Sequence, residues 1–354
     1  SSTIANNVIA AITKALTQAN MKFGEIQYIG RGINGYLAHA TLYNNGSSNN
    51  AGRKGVTETQ IRVVCKCHLG QLKRKQAQQL RHELTILSQL QQYPATTRYV
   101  NPCLDVVIAP IATIAIFPVI NGVSLRDAMS IMSAPDFNSE YKREIVRFVV
   151  LEVLDAVQRM HDIGVSHLQL NHDAILIDLS GDGETDDSIL STAVQSVANT
   201  IRGQESIYYI DRAPQISVRL TNFGIGCAER NLGCNLKIAA LDDPKFPRSK
   251  LACVEAMGNG SGSGSDSGSD NSGGAGKNKA CNTAILGQKY DIWCCGKVLL
   301  DVLTIADNND NNDSIMKVFK RCIQKYMIEP AFNKRRPCGF IREKIMLDIK
   351  HHNK

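Results

Sequence analysis

The chain is short of several features, and each shortage removes a class of protein. No stretch is both long and apolar enough to span a bilayer: the most apolar run, residues 106–120, is too short and holds Pro110 and Pro118. No cysteine pair has CxxC spacing, so the 11 cysteines carry no zinc signal; Cys65 and Cys67 flank one lysine, and Cys294 adjoins Cys295. In a chain of 354 residues that scatter reads as reduced, buried thiols and a cytoplasmic protein, not a disulfide framework. Neither sign of charge dominates. Lys and Arg number 40 against 33 Asp and Glu, a net +7 too mild for a nucleic-acid footprint. Residues 1–18 lack the basic start and cleavage site of a secretory leader. What is present, 43% hydrophobic and 21% charged residues, is ordinary globular composition, enough for one large domain or two modest ones.

Three polar tracts interrupt the patterned sequence. Residues 44–55 form a Gly/Asn-rich loop between strand-like runs. Residues 180–214 open with Asp182, Glu184, Asp186 and Asp187, most simply a solvated loop, followed by a short helix expected over 190–201. Residues 258–279 are a Gly/Ser/Asp tract with no apolar side chain to bury, and are expected to be flexible. Closure entropy grows only logarithmically with loop length, so these are insertions in a scaffold and not domain boundaries.

Between the insertions the elements are legible. Residues 23–42, 60–67, 104–108 and 111–117 read as strands, and 76–90 as an amphipathic helix. Residues 144–161 show a strong helical period, 175–179 and 217–221 read as short strands, and 290–304 as a helix. An apolar stripe over residues 1–18 (Ile4, Val8, Ile9, Ile12, Leu16) marks a helical extension that docks either on its own domain or on a partner. A strand-rich first third before a helix-rich remainder implies an α+β protein with two lobes of different character.

The first motif is Gly30-Arg31-Gly32-Ile33-Asn34-Gly35. No helix opens behind it, so it is a glycine hairpin between strands and not a dinucleotide fingerprint. Lys66 is a lone charge in a β-branched run and wants a partner; Glu83 on the following helix offers one. That pair serves equally as a structural ion pair or as part of a nucleotide site. Further on come Ser166-His167-Leu168-Gln169-Leu170-Asn171-His172-Asp173-Ala174-Ile175-Leu176, Asn222-Phe223-Gly224, Val254-Glu255, Asp291-Ile292-Trp293-Cys294-Cys295-Gly296 and Arg335-Arg336-Pro337.

In this order, over residues 23–342, these motifs resemble the landmarks of the eukaryotic protein kinase superfamily: the glycine loop, the strand lysine, HRDLKPENIL, DFG, APE, DxWxxG and the late RP. The resemblance implies a two-lobed protein-kinase-like fold. A small β-rich N-lobe would cover 23–117, a hinge 118–122, and a larger, mostly helical C-lobe 123–347, with a helical extension at 1–22 and a tail at 348–354. It implies structural roles for Leu87, His167, Phe223 and Asp291, and a buried ion pair between Glu255 and Arg336. It also implies nucleotide-facing roles for Gly30, Gly32, Gly35, Leu37, Lys66 and Glu83. Phe117 would stand at the gatekeeper, the Pro118 carbonyl and Ile120 amide would face an adenine edge, and Leu176 would floor the pocket.

The chemistry of that family is missing. The catalytic-loop aspartate is Gln169, the catalytic-loop lysine Asn171, the magnesium-holding asparagine Ala174 and the DFG aspartate Asn222. An amide cannot take a proton at neutral pH, and neither alanine nor a neutral amide suits a hard divalent cation. Loss of the base alone costs roughly 10²–10⁴ in rate. Leu168 replaces the arginine that would clamp an activation-loop phosphate, and Val64 narrows the adenine slot where an alanine is usual.

The resemblance therefore implies a pseudokinase that works by binding, as a scaffold or allosteric regulator of a protein partner such as an active kinase or a multi-subunit assembly. ATP is the candidate cofactor, without tightly bound magnesium, a nucleotide-free scaffold remains open beside it, and neither nucleic acid nor a membrane span is implied. Two alternatives stand beside it. One is an atypical kinase or nucleotidyl transferase using Asn222 for metal and Asp173 or Asp178 as substitute carboxylates, with His172 nearby. The other is an architectural subunit of a large assembly. The group Lys317, Lys320, Arg321 and Lys325 reads as an exposed helical face.

Overall fold

The computed structural model describes residues 2–32, 35–44, 59–120, 122–135, 137, 139–178, 217–223, 227–228, 275–307, 313–329 and 331–352. The fold is mixed α and β, as the element pattern implies, and the chain divides into two compact units, 1–88 with 101–120 and 89–100 with 121–354. Each is described by itself.

The first unit is a five-stranded antiparallel sheet in the order β1-β2-β3-β5-β4, built from β1 (Phe23–Gly32), β2 (Gly35–Asn44), β3 (Thr59–Leu69), β4 (Asp105–Ile108) and β5 (Ala112–Pro118). Strand side chains alternate between faces, so β3 sends Val63, Cys65 and Cys67 one way and Val64, Lys66 and His68 the other. Onto the first face packs α1 (Ser2–Gln18), burying Val8, Ile12, Ala15 and Leu16 against Ala38, Ala40, Ile114, Ile116 and the two cysteines. The amphipathic stripe of residues 1–18 thus covers the chain's own sheet. Burial pushes the Cys65 thiol up to about 12, with Cys67 adding to it, and the Cys67 thiol up to about 11.

The end of α1 is set by Asn20. Its φ of 54° places it in the left-handed region, which asparagine tolerates, and the Asn20 and Met21 amides donate to the Thr17 and Leu16 carbonyls at 3.0 Å each. This is a Schellman cap, and Met21 packs back on the core beside the helix it ends. The chain then enters β1 within two residues.

On β3's other side in sequence runs α2 (Arg74–Gln91), whose last residues are counted with the second unit. Residues 89–100, which the resemblance would leave in the N-lobe, belong there for a physical reason. They include the short α3 (Pro94–Thr97), after which the Tyr99 hydroxyl donates to Asp155 at 2.5 Å and the Leu220 amide to the Tyr99 carbonyl at 2.7 Å.

The second unit holds β6 (Gly122–Ser124), β8 (Ile175–Asp178) and β9 (Ser217–Leu220) as one small sheet, and β7 (Val165–Ser166) with β10 (Cys227–Ala228) as a ribbon. Its helices are α4 (Leu125–Met132), α5 (Ser139–Asp162), α6 (Ala275–Asp307), α7 (Ser314–Tyr326) and α8 (Cys338–His352). Ser124 caps α4 by accepting from the Asp127 amide, and Asp313 caps α7 by accepting from the Ile315 and Met316 amides. Helix α5 packs against α6 and α8, and α7 against both of those. Helix α6 begins at Ala275, inside the tract 258–279: its last residues include alanine and lysine, good helix formers that extend a helix already nucleated downstream. The rest of that tract, the bulk of insertions 44–55 and 180–214, and the helix expected at 190–201 lie outside the described residues.

Shortening Leu16 to alanine is expected to cost about 2–5 kcal/mol of unfolding free energy, read from urea denaturation. In the native chain Cys65 and Cys67 resist alkylation at pH 8, and Ile12→Asp exposes both to reagent, a change that peptide mass spectrometry resolves.

Candidate functional site

In the first unit the glycine hairpin, the strand lysine and the helix glutamate come together. The register sets Leu37 opposite Lys66 and Ala115 on its other side, so these three share a face of the sheet. The Lys66 Nζ donates to both oxygens of Glu83, at 2.8 and 3.1 Å, and the side chains are only 12% and 7% exposed. A lysine so placed needs an anion, and Glu83 supplies it without any ligand. Of the three hairpin glycines only Gly35 is demanded by geometry: its φ is 149°, and a Cβ there would stand 2.7 Å from the Cys67 carbonyl. A Cβ on Gly32 would meet Leu37 at an ordinary 3.6 Å, and one on Gly30 would meet nothing. Ile33 and Asn34 lie outside the described residues.

The positions assigned to an adenine edge sit at the end of β5. Val64 pairs in register with Phe117 and Val63 with Pro118, and Val64, Phe117, Pro118 and Ile120 are all half-buried. The Pro118 carbonyl already accepts from Asn101 Nδ2 at 3.2 Å, and the Val119 amide donates to the Arg62 carbonyl. Asn101, which carries no motif, therefore competes for the acceptor that the resemblance reserves for a base. Leu87 is buried on α2.

In the second unit the loop between β7 and β8 is organised by Asp291 of α6. Fully buried, Asp291 accepts from the His167 and Leu168 amides at 2.7 Å each and from His161 Nε2 at 3.0 Å. These bonds hold Leu168 at a φ of 61°, a strained setting for a residue of that shape. The His167 ring lies 4.6 Å from Phe223. Its Nε2 donates to the Thr221 carbonyl at 2.7 Å, and its Nδ1 accepts from the Gln169 amide at 3.3 Å. Both nitrogens are used by the backbone, which makes this imidazole a strut and not an acid or base.

The loop positions to which the resemblance assigns catalysis are engaged within the loop itself. Asn171 Oδ1 accepts from the Asp173 and Ala174 amides at 2.9 Å, closing an Asx turn. Ala174 is buried and its carbonyl accepts from the Thr221 amide, tying the loop to the residue before Asn222. Asn222 itself sits at a φ of 65°, which an asparagine adopts readily. Leu176 lies half-buried on β8.

Both substitute carboxylates are engaged. Asp173 receives two bonds from Arg126, at 2.6 and 2.9 Å, and these, with the charge of Arg126, hold it below the usual carboxylate range. Asp178 is buried on β8 and paired with Arg219. Burial likewise depresses His172, 3.3 Å from Asp301. Sequence offered no signal for either arginine, because each comes from an element distant along the chain.

Glu255 lies outside the described residues. The burial assigned to Arg336 falls instead on its neighbour: Arg335 is 1% exposed and donates to the Glu329 and Lys289 carbonyls, whereas Arg336 is exposed over the Phe340 ring. Adjacent arginines present the same motif, and only the surrounding carbonyls select the one that is enclosed.

No protein-family model matches the chain, and no curated protein matches it.

Replacing Asp291 by alanine strands two buried amides and is expected to destabilise the chain by about 2–6 kcal/mol in urea unfolding. Arg126→Ala, at an exposed ion pair, is expected to leave the unfolding midpoint unchanged.

Proposed function

We propose that this chain is a degenerate protein-kinase-like domain, a pseudokinase, which acts by binding a protein partner as a scaffold or allosteric regulator. One observation carries the reading. The β7–β8 loop keeps a complete internal frame around Asp291 and His167, while the positions that would transfer a phosphoryl group hold Gln169, Asn171, Ala174 and Asn222. Phosphoryl transfer rests on a placed nucleophile and on metal ions that neutralise charge. None of these four side chains offers a carboxylate for either task, and Asn171 is committed to its own turn. The Lys66–Glu83 pair and the glycine hairpin support the same reading from the first unit, with ATP as the candidate ligand and Asn101 as a competitor at Pro118.

An enzyme built on substitute carboxylates is disfavoured by the arginines that occupy the oxygens of Asp173 and Asp178, oxygens a metal would need, and on Asp173 that pairing also makes a weaker base. Purified protein with magnesium or manganese ATP and generic protein substrates is expected to show no transfer above a Lys66→Ala control. Turnover that depends on Lys66 would overturn the proposal. Stabilisation by ATP in a thermal-shift assay is expected to be the same with and without magnesium.

A further inference from the structure

Helices α7 and α8 of the second unit run antiparallel. The Tyr326 ring at the end of α7 meets the Phe340 ring at the start of α8 edge-on, with centroids 5.5 Å apart. Further along, Arg321 Nη2 donates to Asp348 at 3.3 Å, and Lys344 Nζ, one turn earlier on α8, donates to the same carboxylate at 2.7 Å. Helix α7 buries Met316, Phe319, Cys322 and Ile323 and turns Lys317, Arg321, Gln324 and Lys325 outward. With Lys320 these outward residues line a concavity of about 460 Å³. Positions four apart on a helix share a face, so Lys317, Arg321 and Lys325 form a row of cations roughly 6 Å apart. Of that row only Arg321 has an ion-pair partner among the described residues.

Beside the row, α8 exposes large apolar side chains. Phe340 is 42% exposed and Leu347 is 52% exposed. Seven residues apart, they lie on one helical face about 10 Å from each other along the axis, with Lys344 between them. The Arg336 guanidinium stands 5.5 Å from the Phe340 ring centroid, and Lys325 Nζ 5.1 Å from that of Tyr326. Cations therefore border the apolar pair on the α7 side and at its start. Asp348 answers Arg321 and Lys344, and the exposed Glu343 projects from the flank of α8 away from α7.

We propose that the α7–α8 face docks an acidic amphipathic helix of a protein partner, with carboxylates on Lys317, Arg321 and Lys325 and an apolar stripe on Phe340 and Leu347. Matching repeats select this occupant. Carboxylates four residues apart on a helix recur at the spacing of the cation row, and apolar residues seven apart recur at the spacing of Phe340 and Leu347. An anionic bilayer fits worse, because it would press on Glu343 and Asp348 together with the apolar pair. The inference rests on the reading of the chain as a binding protein and names where a partner sits. The two fail separately: absence of docking here leaves the pseudokinase reading standing, and Lys66-dependent phosphoryl transfer, which overturns that reading, leaves docking measurable.

Fluorescence anisotropy of the full chain with a labelled peptide of glutamate and alanine, carrying leucines on one helical face, tests it. The peptide is expected to bind, with Lys325→Glu weakening it about tenfold and Phe340→Ala about threefold. Lys14→Glu on α1, an equal change of net charge at an exposed position, is expected to leave the affinity unchanged. Absence of binding would overturn the proposal. So would equal weakening by Lys14→Glu and Lys325→Glu, the mark of diffuse charge attraction, or binding indifferent to Phe340→Ala. Capture by phosphatidylserine vesicles in preference to the peptide, with the same dependence on Lys325, would assign the face to a membrane surface and overturn it too.

Discussion

A carboxylate removed from water must be met by donors, and in the second unit that requirement falls on Asp291. Two backbone amides and one imidazole surround it, and each is thereby fixed in place: the amides belong to His167 and Leu168, the imidazole to the end of α5. From that anchor the rest of the loop follows. Leu168 is held left-handed, His167 is turned towards Phe223 and the Thr221 carbonyl, and Asn171 closes the turn that delivers Ala174 to β9. The loop is thus fixed by one buried carboxylate together with the Asn171 side chain and the His167 ring, and its backbone course follows from those three groups.

The first unit obeys a different constraint, the two-residue period of a strand. Because β3 alternates, one face supplies Val63, Cys65 and Cys67 to an apolar core sealed by α1, and the other presents Val64, Lys66 and His68. A lysine on that second face is tolerable only with Glu83 beside it. The same alternation sets His68 on the face of Lys66, where it lines a cavity beside α2.

Most strands and helices were readable because their signals are local. The alternation of β3, the period of α5 and the glycine hairpin need no knowledge of distant residues. The candidate site was readable only as residue types. Gln169, Ala174 and Asn222 can be read off the sequence, but the engagement of Asp173 by Arg126, of Asp178 by Arg219 and of the Pro118 carbonyl by Asn101 joins positions far apart in sequence. Adjacent Arg335 and Arg336 show the limit most plainly: the motif is symmetric between them, and burial is not.

Side-chain type and short-range period alone set the mixed α and β character, the order of the elements, the pairing need of Lys66 and the neutral residues at 169, 171, 174 and 222. Tertiary structure alone decided that α1 seals the chain's own sheet, that residues 89–100 join the second unit through Tyr99, and that His68 lines a cavity beside Lys66. The division has one cause. Patterning is written in neighbours a few residues apart, whereas burial and hydrogen-bond satisfaction depend on which distant groups the folded backbone brings within 3 Å.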